Sequence, residues 1–403
     1  MLSNILVIVD SDFPGDVRVD KQVNALSKKY NVTVICRYTN GTAPKNVSVI
    51  TMPWIKFNLV RGVVDVLNAA FWLHISLIYT KLFKCFNRKF SVIHIHDLPL
   101  CRTAIILFNC KNIVVDLHEN YPEAVSIWFS KKRNVIIRFK NKLLFNYLRW
   151  HKYELRVCKL ATVVIAVVDE MKQKLISKGI SFSKIEVITN MESSSFIGLK
   201  CAQSELRNIP VADSLLYLGN YGPHRGLDDV IVAMHILKKE GVFVRLNIAG
   251  IPNNHDTHQS LVDLVQKLGM EDSIKFYGKV PFSCYYNLMS RAKINIIPHK
   301  SNGHTDNTVP HKLFQSFLSK RPVLVSSCAP LKRYVGDNDF GAVFEADNPQ
   351  NLALKIKEVL QNYPLYLQKA ERAFEAAYLG PYSWEEESKK LMAIYEKLIA
   401  AKA

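Results

Sequence analysis

The chain has 403 residues, enough for two or three hydrophobic cores at about 150 residues each. Its 49% hydrophobic and 22% charged composition excludes a disordered, collagenous or coiled-coil protein. The net charge of +18 is unevenly spread: residues 1–200 hold 29 Lys and Arg against 14 Asp and Glu, and residues 201–403 hold 24 against 21. The first half is therefore the part suited to phosphate, nucleic acid, an acidic substrate or an anionic membrane.

In chain order, residues 5–9 form an apolar run followed at once by acids, which reads as a buried strand and lacks the basic start and longer core of a signal peptide. Further strands are predicted at 32–36, 92–96, 113–117, 163–167 and 185–188, with a helix at 19–29. The weakly charged stretch 66–80 contains Asn68, His74 and Ser76 and is shorter than the roughly 20 apolar residues of a bilayer span. Between Glu123 and Glu154 there is no acid, and Arg138, Lys142, Arg149, Lys152 and Arg156 recur at helical spacing beside Ile137, Leu144 and Leu148. That pattern predicts a cationic stripe on a surface-lying or phosphate-facing helix, with a solvated face over a core helix as the alternative.

The polar segment 192–213 predicts a linker. Beyond it, strands at 215–218, 244–249, 274–277, 294–297 and 322–326 alternate with helices such as 227–239 and 261–268. Ser383 and Glu386 make a capping box, and Leu391, Tyr395 and Leu398 share one face of the helix that follows. The alternation predicts an α/β protein of two doubly wound, Rossmann-like domains, 1–192 and 210–382, facing across a ligand-binding cleft. The eight cysteines have no CxxC spacing and read as free cytosolic thiols.

Common fingerprints are absent: there is no GxGxxG after a strand, no P-loop, no HExxH and no GxSxG. The chemistry is instead expected in four loops at strand ends. Residues 10–18 turn at Gly15 into a helix start that suits an anion. Residues 115–119 place His118 at a strand end, and 218–226 present Arg225 among glycines, where a cation and a helix start together suit a diphosphate. Residues 307–315 open a helix at Pro310 with free amides, and Gln315 follows one turn on.

The order of these pieces resembles the retaining, metal-independent family 4 glycosyltransferases of the GT-B fold. The residues that carry it are DFPGDVR at 12–18, DLHE at 116–119, ITN at 188–190, YLG at 217–219 with RGL at 225–227, IAG at 248–250, FYGKV at 276–280, PHKLFQ at 310–315, and Trp384. The resemblance implies that the second domain binds a nucleoside diphosphate sugar, a UDP- or GDP-sugar, while the first binds the acceptor. The helix at about 383–403 then completes the first domain.

Residue by residue, it implies catalytic roles for Arg225 on the diphosphate and His118 near the transferred sugar. Donor contacts are implied for Gly15, Asn220, Gly250, Val280, Asn307, Thr308, Val309, Lys312 and Gln315. Asn307 and Gln315 hold the two positions of the family's E-x7-E motif as amides, and Asn220 stands where a second diphosphate cation is usual. Arg138, Lys142, Arg149 and Lys152 are assigned to the acceptor or to an anionic membrane surface.

The expected activity is transfer, with retention and without metal or cofactor, to a lipid-linked or surface polysaccharide intermediate. The expected setting is the cytoplasm and the inner face of its membrane, with no nucleic acid partner. A nucleotide-sugar-binding pseudoenzyme or scaffold and a GT-B sugar-nucleotide epimerase are the competing readings.

Overall fold

The structure, a computed structural model, describes residues 2–39, 41–53, 73–129, 146–202 and 214–400. The chain divides into two units, Met1–Thr189 with Ser388–Ala403, and Asn190–Glu387.

The first unit is built on seven parallel strands: β1 (Asn4–Ile8), β2 (Asn31–Cys36), β3 (Val47–Thr51), β4 (Val92–His96), β5 (Ile113–Leu117), β6 (Val163–Ala166) and β7 (Ile185–Val187). Their order is β3-β2-β1-β4-β5-β6-β7. Central β4 and β5 are buried along their whole length, which is why they read as unbroken apolar runs. The sequence reading passed over β3 because it is a half-exposed edge strand without such a run.

The helix Val17–Ser27 begins two residues earlier than predicted, since the Asp16 carboxylate accepts the N–H groups of Arg18 and Val19 and caps it there. The basic segment also differs from expectation. The helix Tyr147–Leu160 starts after an extended Asn146 whose side chain accepts the Arg149 N–H, so the helix carrying Arg149, Lys152 and Arg156 begins at Tyr147. Arg138 and Lys142 lie outside the described residues.

The final helix, Trp384–Ala400, joins the first unit from Ser388 onward. Leu391, Tyr395 and Leu398 are buried, the Tyr395 hydroxyl is 2.6 Å from His94 Nδ1, and Asn112 Nδ2 donates to the Leu398 carbonyl at 2.9 Å. The Glu386 N–H reaches Ser383 Oγ at 3.3 Å, as the capping box requires.

The second unit repeats the plan with six parallel strands: β8 (Ser214–Leu218), β9 (Arg245–Ala249), β10 (Ile274–Gly278), β11 (Ile294–Ile297), β12 (Val323–Ser326) and β13 (Ala342–Phe344), in the order β10-β9-β8-β11-β12-β13. Leu215, Tyr217, Ile248, Ile296 and Leu324 meet Ile231, Leu237 and Ile356 of the covering helices in one core. In each sheet the strand order reverses beside the unit's first strand, between β1 and β4 and between β8 and β11. Such reversals open a crevice at the carboxyl ends of the strands.

One further expectation is corrected. Cys201 and Cys284 form a disulfide, with Cα atoms 4.6 Å apart, whereas the other six cysteines are free. Their separation of 83 residues gave no sequence signal of the pairing. The predicted linker 192–213 is anchored at its start, where Glu192 and Phe196 are buried and the Trp384 N–H donates to the Glu192 carbonyl at 3.0 Å, and its residues 203–213 lie outside the described residues. No described helix is long and apolar enough to cross a membrane.

Replacing Tyr395 by Phe removes the hydroxyl from a fully buried pair and leaves His94 Nδ1 without its partner. The expected loss is about 1–3 kcal/mol in the first unit. Hydrogen exchange of the β4 amides, which reports that unit separately from the second, should show the decrease.

Candidate functional site

The crevice of the second unit is formed by the loops after β8 and β11. Gly226, at φ 67°, lies so close to β11 that a Cβ there would stand 1.8 Å from the Pro298 carbonyl oxygen. That contact holds the short 3-10 turn Pro223–Arg225 against the β11 loop, where Arg225 Nη1 is 2.8 Å from His299 Nε2. Gly250 packs equally tightly, since a Cβ on it would meet the Gly219 carbonyl oxygen at 2.0 Å.

Lys312, the second residue of the helix His311–Leu318, turns its ammonium back over the Tyr217 ring at 4.0 Å from the centroid. Lys312 Nζ is buried and has no hydrogen-bond partner. Among the described residues, no carboxylate pairs with Lys312 or Arg225. Burial first and the Arg225 charge second hold the Lys312 ammonium well below the ordinary lysine value. The same two causes push His224 and His304 down to about 3 and His299 well below the usual histidine range, so all three rings are neutral at pH 7. The helix start beside them has Pro310 at its N-cap and no side-chain cap. The crevice therefore gathers the Arg225 guanidinium, the Lys312 amine, a helix start and neutral imidazoles, an arrangement suited to an anion.

The remaining predicted donor residues divide. Asn220 is exposed, and its carbonyl accepts the Tyr217 hydroxyl at 2.9 Å. Val280 and Val309 are buried, and the Val309 carbonyl accepts from Asn190 Nδ2 at 3.0 Å. Asn307 Nδ2 donates to the Gly303 carbonyl and Thr308 Oγ1 to the His304 carbonyl, so both side chains bind their own loop. Gln315 is buried and gives its amide N–H to Glu192 Oε2 at 2.7 Å. The sequence reading missed Tyr217, His224, His299 and His304, although each histidine follows a buried strand within a few residues.

In the first unit the strand ends converge on Asp116. Arg18 grips it with two bonds, Nε to Oδ2 at 2.9 Å and Nη2 to Oδ1 at 2.7 Å, and Gln22 Nε2 adds a third at 2.7 Å. Burial pushes the Asp116 carboxyl up, but Arg18 and the neighbouring histidines outweigh it and hold it well below the usual range. His96 Nδ1 lies 2.7 Å from His118 Nε2, and the His118 backbone N–H donates to Asp97 Oδ1 at 3.1 Å. Burial pulls the His118 ring down, yet Asp97 and Asp116 together leave it above its ordinary value. Burial raises Asp97 to about 7 against the pull of His118. His118 thus has an acid, a neutral imidazole and a fixed backbone around it, partners that its surrounding sequence did not announce. The Gly15 N–H donates to Asp20 Oδ2 at 3.0 Å.

His94, His96 and Asp116 also form a compact group of metal-ligating types. Their carboxylate is already held by the Arg18 guanidinium, which would repel a cation, so the donor set does not fit a metal.

Two family models match the sequence: "Glycosyltransferase Family 4" over residues 16–191 and "Glycosyl transferases group 1" over residues 210–378. No curated protein matches it. Among solved structures, the fold is similar to sucrose-phosphate synthase from Thermosynechococcus elongatus, at 14% identity and TM-score 0.74, covering 99% of this chain and 100% of that one. It is also similar to Anabaena HepE in complex with UDP and glucose, at 15% identity and TM-score 0.70, covering 98% and 100% of the two chains. A third likeness is to WaaG, a glycosyltransferase involved in lipopolysaccharide biosynthesis, at 16% identity and TM-score 0.67, covering 95% and 98%. The fold is that of the GT-B glycosyltransferases.

The Gln315–Glu192 bond makes the amide at 315 a requirement of its neighbour. Gln315→Glu would set two buried carboxylates at hydrogen-bond distance, so one of them must take up a proton. The expected cost is about 1–3 kcal/mol at neutral pH. Because that pair's pKa is raised in the folded state, the deficit should shrink as the pH falls, and melting curves of the variant at pH 8 and pH 5 measure it.

Proposed function

This chain belongs to the group 1, family 4 glycosyltransferases, and from that premise we propose that it moves a sugar from a nucleoside diphosphate sugar to a hydroxyl of a lipid-linked or surface polysaccharide intermediate, with retention of configuration. The observation that carries this reading is Lys312, a buried amine beside Arg225 whose protonated form has no anion to meet it. A buried charge without a counter-ion is costly, and a diphosphate placed between Lys312, Arg225 and the helix start at His311 relieves that cost. HepE bound to UDP and glucose supports a UDP-sugar as the first donor to test, with a GDP-sugar as the second. WaaG's part in lipopolysaccharide biosynthesis supports a surface glycan as acceptor.

In the proposed reaction the bond between the anomeric carbon and the diphosphate oxygen breaks, and the acceptor oxygen bonds to the same face of that carbon. The acceptor's proton passes to the departing diphosphate oxygen, and the nucleoside diphosphate leaves. Arg225, Lys312 and the helix amides stabilise the negative charge that grows on the leaving group, the task a metal ion performs in other transferases. His118, placed by Asp97 and His96, is assigned to the transferred sugar. Arg149 and Lys152, both exposed, are assigned to the acceptor side or an anionic membrane surface.

Arg225→Ala should lower transfer about a hundredfold to a thousandfold while leaving the melting temperature nearly unchanged, since it removes leaving-group stabilisation rather than core packing. Normal turnover would exclude this loop from the diphosphate site. Lys312 gives a second test. Binding a diphosphate raises the pKa of its ammonium, so UDP should bind with uptake of a proton and more tightly as the pH falls. Titration calorimetry in buffers of different ionisation enthalpy reads that uptake, and Lys312→Met should abolish it.

A further inference from the structure

The stretch of the second unit that runs from Asn190 to Cys201 grips the helix His311–Leu318 and its approach. Asn190 Nδ2 donates to the Val309 carbonyl at 3.0 Å, and Glu192 Oε2 accepts the Gln315 amide at 2.7 Å, both in buried surroundings. Val309 stands three residues before Lys312, and Gln315 three residues after it. The stretch therefore holds the chain on either side of Lys312, and its own position sets where the amine and the helix start lie.

Polar, aromatic and covalent contacts anchor the stretch in turn. The Glu385 carboxylate accepts the Ser193 and Ser194 hydroxyls at 2.9 and 2.8 Å. Buried Phe196 packs on the rings of Phe282 and Tyr286, with centroids 5.8 and 5.9 Å away. The Cys201–Cys284 disulfide then joins the far end of the stretch to a residue 83 positions on. Cys284 ends the 3-10 turn Phe282–Cys284 and leads into the helix Tyr285–Arg291, which packs on the helix of Lys312. One bond thus ties together two neighbours of that helix.

The two sulfurs differ in access. Cys284 is fully buried, whereas Cys201 is half-buried between exposed Lys200 and Ala202. A dissolved thiolate reaches the Cys201 sulfur, and the Lys200 charge beside it favours the approach of an anion.

We propose that this disulfide is a thiol switch on the donor crevice: closed, it keeps Asn190 and Glu192 on the helix of Lys312 in the arrangement that meets a diphosphate, and opened by a dithiol reductant it releases that grip. A thiolate of the reductant attacks Cys201 Sγ, the S–S bond breaks, and Cys284 leaves as a thiolate that takes up a proton. The reductant's second thiol gives up its proton and displaces Cys201, which is protonated in turn. The protein gains two thiols and the reductant becomes a disulfide. What changes is how often the stretch 190–201 opens, because a cross-link over a long loop acts mainly against open states.

The switch rests on the reading of that crevice as a diphosphate site, yet the two fail differently in one experiment. The full chain is compared as the disulfide and after reduction with dithiothreitol, with both cysteines followed by alkylation and mass spectrometry. UDP is titrated calorimetrically into each form, and hydrogen exchange is followed at the amides of 311–318 and, as a reference, of β9. Reduction should weaken UDP about fivefold or more, the lower end of ordinary coupling between sites. It should also speed exchange at 311–318 and leave β9 unchanged. Cys201→Ser should behave as the reduced chain and ignore the reductant; the reduced wild type carries the same test without any substitution.

Unchanged UDP affinity after complete reduction overturns the switch, and so does a pair that fails to close under oxidised glutathione. Equal acceleration at 311–318 and β9 overturns it too, since that is a general loss of stability. If neither form binds UDP, the diphosphate reading falls, and exchange at 311–318 decides the rest: faster exchange upholds the grip on the helix, and unchanged exchange overturns it.

Discussion

The first unit is organised around one buried carboxylate. Asp116, near the end of β5, is gripped by Arg18 and Gln22 from the helix Val17–Ser27 and faced by His94 and His96 from β4. Through His94 the same cluster reaches Tyr395 of the last helix. Two strands, the first helix and the chain's final helix are thereby tied to a single charge. Breaking such a buried pair costs about 3–5 kcal/mol, because the surviving partner has no water to solvate it. His118, the residue assigned to the transferred sugar, owes its placement to this arrangement through His96 and through Asp97, whose N–H donates to the Asp116 carbonyl at 2.9 Å.

The second unit solves the opposite problem. Where the first matches a buried negative charge with a positive one, the crevice between β8 and β11 holds positive charge without an anion. Its histidines stay neutral, since burial and Arg225 both disfavour protonation. Close backbone packing at Gly226 and Gly250 fixes the loops, so the field is built before any ligand arrives. A site of this kind binds anions by relieving a cost already present in the protein.

The charge asymmetry of the chain finds a place in this division. In the first half Arg18 is buried on Asp116, but Arg88, Lys89, Arg102, Arg149 and Lys152 lie on exposed faces, whereas Lys312, the key basic group of the second half, is buried. Exposed cations act at a distance and weaken with salt, while a buried one acts only on a ligand that enters the crevice.

By itself the sequence determined the layout: eleven of the thirteen described strands, the helix Leu227–Lys239 residue for residue, the closing helix and its three buried contacts. These were legible because buried parallel strands are unbroken apolar runs and amphipathic helices carry a 3.6-residue period. The edge strands β3 and β13 escaped because β3 is half-exposed and interrupted by Ser48 and Thr51, and β13 has only three residues. Arg225, Lys312 and His118 were legible as residue types at strand ends. Only the tertiary structure decided their surroundings: Lys312 over Tyr217, Gln315 on Glu192, Gly15 on Asp20 and Cys201 on Cys284. Three of these pairings join residues 83 to 123 positions apart, or strands and helices from different parts of a sheet. Such partners are set by packing, and local periodicity carries no record of which distant side chain packing will bring near.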